Sequence, residues 1–395
     1  MQNGGCNIED LKSQRFPLLP YSQLVWDMLQ EEPEVYYYNY TLCVKSSDVD
    51  MERLQNAFIL AFVNHPVFST VIDSYGKQSL RFSKDVLHGN YHAIDLIEND
   101  DVIYIKVKLN RILGDEVSKL ILVEDIFRAY KGEALERDDY FGYLRYIEEL
   151  KNSKSYYSKK EWLDKKFGCL HCPVHPNTDF PLETNITPIE EIIRDDYTNL
   201  QKDFKELTHR ELVSATALFS FAAALAIMDY NGTDCAALTW AYEGREREVE
   251  QRVYGSLHRD IPIMFDRKKT RDSKSEIFRY LRQQMREGIA HSSYPFTLTP
   301  PNTQIWNYAV NVLQQPTSAN LLNQSPFPIV ILEMPDNKEK IAYSLLDIEI
   351  YNTDRTMVIF RYSATHYKME SIRRFASMVR DKILWLLHSD DYGEL

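Results

Sequence analysis

Four polar side chains that could take part in chemistry stand close together at residues 110–116: Asn110, Arg111, Asp115 and Glu116. The guanidinium of Arg111 stays protonated at any working pH and has no acceptor lone pair, so it cannot act as a general base. It can instead pair, as a fixed charge, with a carboxylate or a phosphate. The spacing therefore predicts a polar centre that can position and pair charges, without proton abstraction by Arg111.

The second half of the chain contains another polar run, His258, Arg259 and Asp260. Side chains alternate across a strand, so the three cannot all point to one place, and a solvated or self-paired turn is the simpler interpretation. Of the three, His258 is the side chain that could titrate near neutral pH. It is retained as a candidate for a base at a new position.

A third candidate is the cluster Cys169, His171, Cys172 and His175, which offers four nitrogen or sulfur ligands in a short span. Zinc sites usually place a loop between two separated ligand pairs, and a second separated pair is absent from the sequence here. We therefore predict no metal site. The five cysteines are scattered and odd in number, which predicts reduced thiols in a cytoplasmic protein.

Composition limits the partners of the chain. Its 395 residues, 44% hydrophobic and 26% charged, suffice for two domain-sized cores. The formal net charge of −12 argues against a nucleic-acid partner, which would need a basic face. The longest apolar segment, 212–228, is interrupted by Ser214, Thr216 and Ser220, which predicts a buried helix rather than a membrane span. The first residues lack the pattern of a secretory signal, and we expect a cytoplasmic monomer with no membrane partner.

The elements around residues 110–116 are predicted from hydrophobic periodicity. Residues 102–109 alternate as a strand, and an apolar helical pattern starts at Ser118, so the polar centre lies on a strand–loop–helix junction. Asp50 is the predicted N-cap of a helix over 51–63. One helix is predicted around 210–229, in the second half of the chain.

The organisation of the whole chain follows from its proline-rich middle. Residues 168–187 contain Pro173, Pro176 and Pro181 and are predicted to link two halves that each mix helices and strands. We predict an α/β (α+β) protein with one lobe over residues 1–175 and a second lobe over residues 176–395.

A series of short motifs, in the expected order, resembles the condensation domains of nonribosomal peptide synthetases, which belong to the chloramphenicol-acetyltransferase-like superfamily. The motifs lie at 16–26 (Leu-x-Pro, Ser-Gln and Trp26), 64–70 (His65 and Thr70), 110–116, 161–163 and 177–181 (Trp162 and Thr-Asp-x-Pro), 255–263 (Gly255 and Pro262), 291–296 (His291, Pro295 and Phe296), 307–314 (Asn307 and Leu-Gln) and 347–362. Each motif alone would occur often by chance. Their shared order across nearly the whole chain predicts the fold.

The resemblance implies two acetyltransferase-like lobes forming a V-shaped pseudo-dimer with a central tunnel. Donor and acceptor would each be a thioester on the phosphopantetheine arm of a peptidyl or acyl carrier protein, with no cofactor bound by the domain itself. The acceptor amine would attack the donor thioester at a His-His-x-x-x-Asp-Gly motif. The resemblance also places Trp240, Arg245, Arg259 and Asn307 along the tunnel, with Arg245 as ion-pair partner of Asp115.

The chain departs from that motif at three positions. Asn110 and Arg111 stand where the two histidines would be, and Glu116 replaces the glycine. Asp115 is retained, and its role in the family is mainly structural. A glycine permits close backbone approach, so Glu116 predicts a loop whose geometry or access has changed.

Two main hypotheses follow. In the first, the chain is a noncatalytic module that docks a carrier protein or a tailoring enzyme such as a cytochrome P450. The X domains of glycopeptide assembly lines do so, with an altered motif of the kind His-Arg-x-x-x-Asp-Asp. In the second, it is an active acyltransferase that forms an amide or ester from a carrier-bound thioester at a nonstandard site. A third alternative is a relic half of a larger synthetase. We favour loss of the standard condensation activity.

Overall fold

The fold is taken from a computed structural model that describes residues 14–30, 37–81, 85–182, 190–269, 273–296, 306, 309–315, 324–333, 345–352 and 355–388. These residues combine helices with three β-sheets, which confirms the predicted mixture of helix and sheet. The chain divides into two compact units, each built from separate stretches of sequence. Unit 1 comprises residues 1–153, 243–258 and 318–337, and unit 2 comprises residues 154–242, 259–317 and 338–395. The predicted lobe boundary at residue 175, the V shape and the tunnel stay predictions.

The elements of the first half of the chain begin at Phe16. They are β1 (Phe16–Pro17), α1 (Pro20–Leu29), β2 (Tyr37–Lys45), α2 (Met51–Asn64), β3 (Thr70–Ile72), β4 (Lys77–Leu80), β5 (His88–Gly89), β6 (His92–Asn99), β7 (Val102–Asn110), α3 (Glu116–Lys131), α4 (Tyr140–Lys151), α5 (Lys154–Phe167) and β8 (Glu190–Asp196). The second half continues with α6 (Gln201–Glu211), α7 (Ala215–Asn231), β9 (Cys235–Tyr242), α8 (Glu248–Gln251), β10 (Arg259–Asp266), α9 (Lys274–His291), β11 (Asn311–Gln315), β12 (Val330–Glu333), β13 (Leu346–Asn352), β14 (Thr356–Ser363) and α10 (Met369–His388).

Unit 1 is built on a five-stranded antiparallel sheet in the order β12-β2-β7-β6-β5. The apolar face of helix α2 packs into the core of unit 1. The predicted N-cap Asp50 is confirmed, since the Asp50 carboxylate accepts a hydrogen bond from the amide of Arg53 at 2.9 Å. Strand β7 runs to Asn110, opposite Tyr37 of β2, and α3 follows after a short loop. The predicted strand–loop–helix junction is therefore present.

Helix α3 begins at Glu116, two residues before the predicted start at Ser118. The reason is that Asp115 caps it: the Asp115 carboxylate accepts a hydrogen bond from the amide of Ser118 at 2.9 Å. This satisfies a backbone donor that the first helical turn leaves unpaired. The retained aspartate of the motif thus also sets the position of the helix.

Unit 2 is built on a six-stranded mixed sheet in the order β10-β9-β11-β13-β14-β8, in which β11 runs parallel to β9 and β13. Helix α7 is apolar on all sides and almost entirely buried, as expected for a helix in the centre of a core. The helix predicted around 210–229 is present as α7, but it begins at Ala215, and residues 210–211 belong to the preceding helix α6. Leu212 takes a positive φ of 53° and ends α6, and Ser214 then caps α7 through the amide of Ala217.

No single helix in the described part of the chain is both long and apolar enough to cross a membrane. One bent pair, Thr198–Glu211 with Ala215–Asn231, meets the criteria by length and composition only.

The Leu212 conformation yields a stability prediction. A left-handed conformation costs a residue with a Cβ atom about 1–2 kcal/mol, and the Leu212 side chain is 77% exposed, so little packing would be lost on its removal. We expect Leu212→Gly to raise the free energy of unfolding by about 0.5–1 kcal/mol, after the entropy that glycine adds to the unfolded chain. Urea denaturation measures it.

Gly232 provides the matched control for that experiment, because it ends α7 at a φ of 68° with no atom within 4 Å of an added Cβ. Gly232→Ala should lower the free energy of unfolding by about 1 kcal/mol through backbone strain alone. A loss of stability in Leu212→Gly would show that the leucine side chain contributes packing.

The prediction that the cysteines are all reduced is wrong. Cys172 and Cys235 form a disulfide across a sequence separation of 63 residues, while Cys43 and Cys169 are free. The two sulfurs meet because the segment after Cys172 lies against β9, where the amide of Ala237 donates to the carbonyl of Pro173 at 2.9 Å. No group of three or more His, Cys, Asp or Glu in the described ranges could hold a metal ion.

Candidate active site

Asn110, at the first histidine position, shapes the loop that follows β7. Its side chain is buried, and its amide oxygen accepts a hydrogen bond from the backbone amide of Ile112 at 2.9 Å. Its backbone carbonyl accepts from the amide of Leu113 at 3.1 Å. A short amide side chain that bonds to the backbone two residues onward is typical of a turn. Asn110 therefore closes the loop, and its amide oxygen is engaged in that turn.

Asp115 lies at the centre of a buried hydrogen-bond network in unit 1. Each of its two carboxylate oxygens accepts a hydrogen bond from one guanidinium nitrogen of Arg245 at 2.9 Å. This contact is the ion pair that the resemblance implies. The amides of Leu257 and His258 donate to the same carboxylate at 2.9 and 3.1 Å. Burial by itself would raise the pKa of Asp115, but the Arg245 charge and the hydrogen bonds from Arg245 and Ser118 outweigh it and lower the pKa. Asp115 stays ionised and joins the loop after β7 to residues 243–258.

A close backbone approach makes this network compact. A Cβ atom on Gly114 would lie 2.7 Å from the Tyr254 ring and 2.8 Å from the Cβ of Ser118, closer than side chains tolerate. The Ser118 hydroxyl donates a hydrogen bond to the carbonyl of Gly255 at 2.8 Å and accepts one from the Gly255 amide at 3.1 Å. Gly114 is thus required by packing, whereas the glycine of the family motif is replaced by Glu116.

Beside this network, Arg111, Glu116, Lys119, Tyr38 and Tyr40 form an aromatic–ionic cluster. The ammonium of Lys119 is ion-paired with Glu116, donates a hydrogen bond to the Tyr40 hydroxyl at 2.7 Å, and lies 3.6 Å from the Tyr38 ring centroid. The guanidinium of Arg111 lies 4.8 Å from the same Tyr38 ring centroid. Two cations therefore share one aromatic ring, and each is stabilised by its π face.

The electrostatics of the aromatic–ionic cluster oppose proton transfer near neutral pH. Burial raises the pKa of Tyr38 and of Tyr40 well above their usual range, so both hydroxyls stay protonated. Burial alone would raise the pKa of Glu116 as well, but the charges of Lys119 and Arg111 outweigh it and lower the pKa. Glu116 is therefore a stable carboxylate, and the cluster holds fixed charges that do not change across the physiological pH range.

His258 lies next to the same loop. Its ring packs edge-on against Tyr21, with 5.1 Å between the ring centroids, and its amide is bonded to Asp115. Two residues earlier, the Ser256 hydroxyl donates to the carbonyl of Arg111 at 2.9 Å. The polar run predicted as a turn thus places His258 in unit 1, while Arg259 and Asp260 begin β10 in unit 2. A role of His258 as base stays a prediction.

The remaining predicted tunnel residues are distributed differently. Trp240 is a buried residue of β9, opposite Ile261, and packs against the Tyr242 ring. The guanidinium of Arg259 donates to the Ser292 hydroxyl at 3.1 Å. Asn307 lies outside the described residues. The tunnel roles assigned to these residues and to Arg245 stay predictions.

Sequence reasoning missed three members of the aromatic–ionic cluster, namely Tyr38, Tyr40 and Lys119. A signal was present for each. The two tyrosines are separated by two positions on β2, so they share one face of the sheet, and Lys119 follows Glu116 by three positions on one face of α3. The sequence does not show that β2 pairs with β7. This pairing brings Tyr38 and Tyr40 close to the loop that follows β7.

A second buried ionic network surrounds His65, another motif residue. Its two ring nitrogens contact the carboxylates of Asp138 at 2.8 Å and Asp125 at 3.1 Å, and all three side chains are buried. Asp125 is also paired with Arg252, and Asp138 accepts a hydrogen bond from the amide of Tyr254 at 2.9 Å. This network again connects the first part of unit 1 with residues 243–258.

Comparisons with known proteins agree with the motif order. A family described as "Condensation domain" matches residues 93–389. A comparison with curated proteins found no match. Solved structures resemble the chain over nearly its full length. The epimerization domain from the third module of tyrocidine synthetase B has a TM-score of 0.74 and 16% identity, covering 95% of this chain and 96% of that one.

Two further solved structures resemble the chain to a similar extent. The condensation domain from Monacolin K polyketide synthase MokA has a TM-score of 0.74 and 13% identity, covering 96% of this chain and 98% of that one. The first condensation domain of the calcium-dependent antibiotic synthetase has a TM-score of 0.71 and 13% identity, covering 97% and 99%. At such identities the structures establish the fold alone. Together with the family match over most of its length, they confirm the resemblance: this chain belongs to the condensation-domain family.

Proposed function

We propose that this family member does not form amide bonds by the standard route of nonribosomal peptide synthesis and instead acts as a docking module. Its partner would be a peptidyl or acyl carrier protein bearing phosphopantetheine, or a tailoring enzyme such as a P450, as in X-type domains. The observation that supports this most is the aromatic–ionic cluster. At the position of the second motif histidine, this cluster contains Arg111, a fixed cation whose guanidinium lies over the Tyr38 ring.

Amide formation needs a group that positions the acceptor amine and accommodates its proton. Arg111 has no acceptor lone pair, and Glu116 is a carboxylate already paired with Lys119. Arg111 and Lys119 with Glu116 carry a net positive charge, which would also repel an acceptor that arrives as an ammonium. The chemistry available at the cluster is therefore charge pairing with an anionic group.

The framework around the motif is retained while its histidines are replaced. The Asp115–Arg245 pair, the close approach at Gly114 and the cap of α3 keep the loop in place. Breaking such a buried pair would destabilise the fold, so the intact pair keeps a folded surface available for binding. Its retention supports a binding role for the domain over a relic without function.

The alternative is an active acyltransferase with a nonstandard site, forming an amide or ester from a carrier-bound thioester. The position of His258 favours it, because this histidine adjoins the Asp115 network and its neighbour Ser256 bonds to Arg111. An imidazole can serve as base near neutral pH.

The expected cytoplasmic location and monomeric state also stay predictions. The disulfide bears on the location because reducing compartments keep thiols reduced.

A single-turnover assay distinguishes the two functions. Donor and acceptor aminoacyl groups are loaded on separate carrier proteins and mixed with wild type, with Asn110→His/Arg111→His, or with His258→Ala. We expect no dipeptidyl product from wild type, whereas calorimetry should detect binding of the phosphopantetheine-loaded carrier. Product from wild type that disappears in His258→Ala would overturn the docking proposal and support the active enzyme.

A matched control shows that the variants remain folded. Circular dichroism and urea denaturation of each variant should agree with wild type apart from the local cost of the substitution. Product from the double-histidine variant alone would support the proposal, since it shows a working framework that lacks only its histidines. Absence of both product and carrier binding in wild type would reject carrier docking.

A further inference from the structure

A disulfide fastens the segment between α5 and β8 to the sheet of unit 2. We name residues 168–180 the strap. Cys172 of the strap is bonded to Cys235, the first residue of β9. Both cysteines are half-buried. Neither cysteine of the disulfide is therefore fully enclosed in the core of the unit.

The strap is also held by hydrogen bonds that do not depend on the disulfide. The amide of Ala237 donates to the Pro173 carbonyl at 2.9 Å, and the amide of Val310 donates to the Val174 carbonyl at 2.8 Å. The Asn231 side chain donates to the carbonyl of His175 at 2.8 Å. These contacts keep the strap on the sheet when the sulfur–sulfur bond opens, so exchange at Cys172 does not require unfolding.

A third cysteine stands next to this bond. Cys169 is a free, exposed thiol three residues before Cys172, in the turn that follows α5. A Cys-x-x-Cys spacing permits a disulfide between its two members and is the spacing used in thiol–disulfide chemistry. Because Cys169 is exposed, an external disulfide can exchange with it, and because it is tethered, it presents a high local thiol concentration to Cys172.

We propose that Cys169, Cys172 and Cys235 form a thiol–disulfide exchange site for low-molecular-weight thiols and disulfides, with Cys169 as the attacking thiol. The Cys169 thiolate attacks the sulfur of Cys172, the Cys172–Cys235 bond breaks, and Cys235 leaves as a thiolate that takes up the proton lost by Cys169. The number of disulfides is unchanged. A small thiol then reduces the exposed Cys169–Cys172 bond, and two such thiols leave as one small disulfide.

Peptide mapping of the full-length protein tests this site. Trypsin leaves Cys169 and Cys172 together in residues 167–194 and Cys235 in residues 211–245. Protein oxidised with glutathione disulfide is treated with reduced glutathione, alkylated at intervals and digested. We expect linked peptides at the start and then a 167–194 peptide with an internal disulfide. In Cys169→Ser the loss of the linked peptides should be on the order of tenfold slower, because the tethered thiol is gone.

The matched control is Cys43→Ser, which removes a free cysteine from unit 1. It should reduce at the wild-type rate. Cys235→Ser should form the internal Cys169–Cys172 bond with glutathione disulfide. Equal reduction rates in wild type and Cys169→Ser, with no internally bonded peptide in either protein, would overturn the proposal. The outcome is independent of whether the domain docks a carrier protein.

Discussion

Replacing Arg245 with methionine is expected to lower the free energy of unfolding by about 3–5 kcal/mol. The substitution leaves the buried carboxylate of Asp115 without its cation, and breaking one partner of a buried pair costs far more than the pair itself contributes. The Arg245 and Asp115 side chains are only 4% and 9% exposed, so solvent cannot replace the lost partner. Urea denaturation followed by tryptophan fluorescence measures the change.

A second substitution separates the ion pair from simple loss of packing. In Asp115→Asn/Arg245→Met the isolated charge is gone, so the double variant should lose less than the sum of the two single losses. The control is Arg210→Met, which breaks an exposed pair with Glu211 and should cost at most about 1 kcal/mol. Additive losses at positions 115 and 245 would show that the two residues act independently.

Replacing His65 with glutamine is the second large effect that we expect, about 3–5 kcal/mol at pH 6. The imidazolium lies between the buried carboxylates of Asp125 and Asp138, and a neutral amide leaves both without that positive partner. Arg252 still pairs with Asp125, which limits the loss at that carboxylate. The loss should appear as a lower midpoint of urea unfolding.

The pH dependence of that loss has a defined sign. Burial alone would lower the pKa of His65, but the Asp125 and Asp138 carboxylates outweigh it and raise the pKa above its ordinary value of 6.5. A raised pKa means that the imidazolium stabilises the fold fully below pH 6.5 and that the contribution falls as pH rises through the folded-state pKa. The stability difference between wild type and His65→Gln should therefore shrink as the pH increases above about 6.5.

The pKa values of the two neighbouring carboxyl groups shift in opposite directions. The pKa of Asp125 is lowered, since His65 and Arg252 outweigh its burial, so its own contribution is lost only as pH falls through that low value. Asp138 behaves oppositely because burial dominates and raises its pKa. Measurements should therefore begin below pH 6.5 and extend upward, where the contribution of the imidazolium is lost. A difference that is constant with pH would mean that His65 is neutral in the folded protein.

Local features of the sequence predicted local features of the structure. The Asp50 cap and the strand–loop–helix order around residues 110–116 depend on neighbouring residues in the chain, and the structure shows both. The order of the motifs likewise identified the family, because this order depends only on positions along the chain and not on which residues come into contact. Element limits were less accurate where a cap or a positive φ intervened, as at Asp115 and Leu212.

The sequence by itself determined the family, the mixed helix-and-sheet class and the absence of a base at Arg111, since the chemistry of a guanidinium does not depend on the fold. Only the tertiary structure decided what surrounds that position. Tyr38 and Lys119 reach Arg111 and Glu116 because β2 pairs with β7, and Cys172 reaches Cys235 because the strap lies against β9. These contacts join residues far apart in sequence, and they follow from strand pairing and packing, which no local pattern specifies.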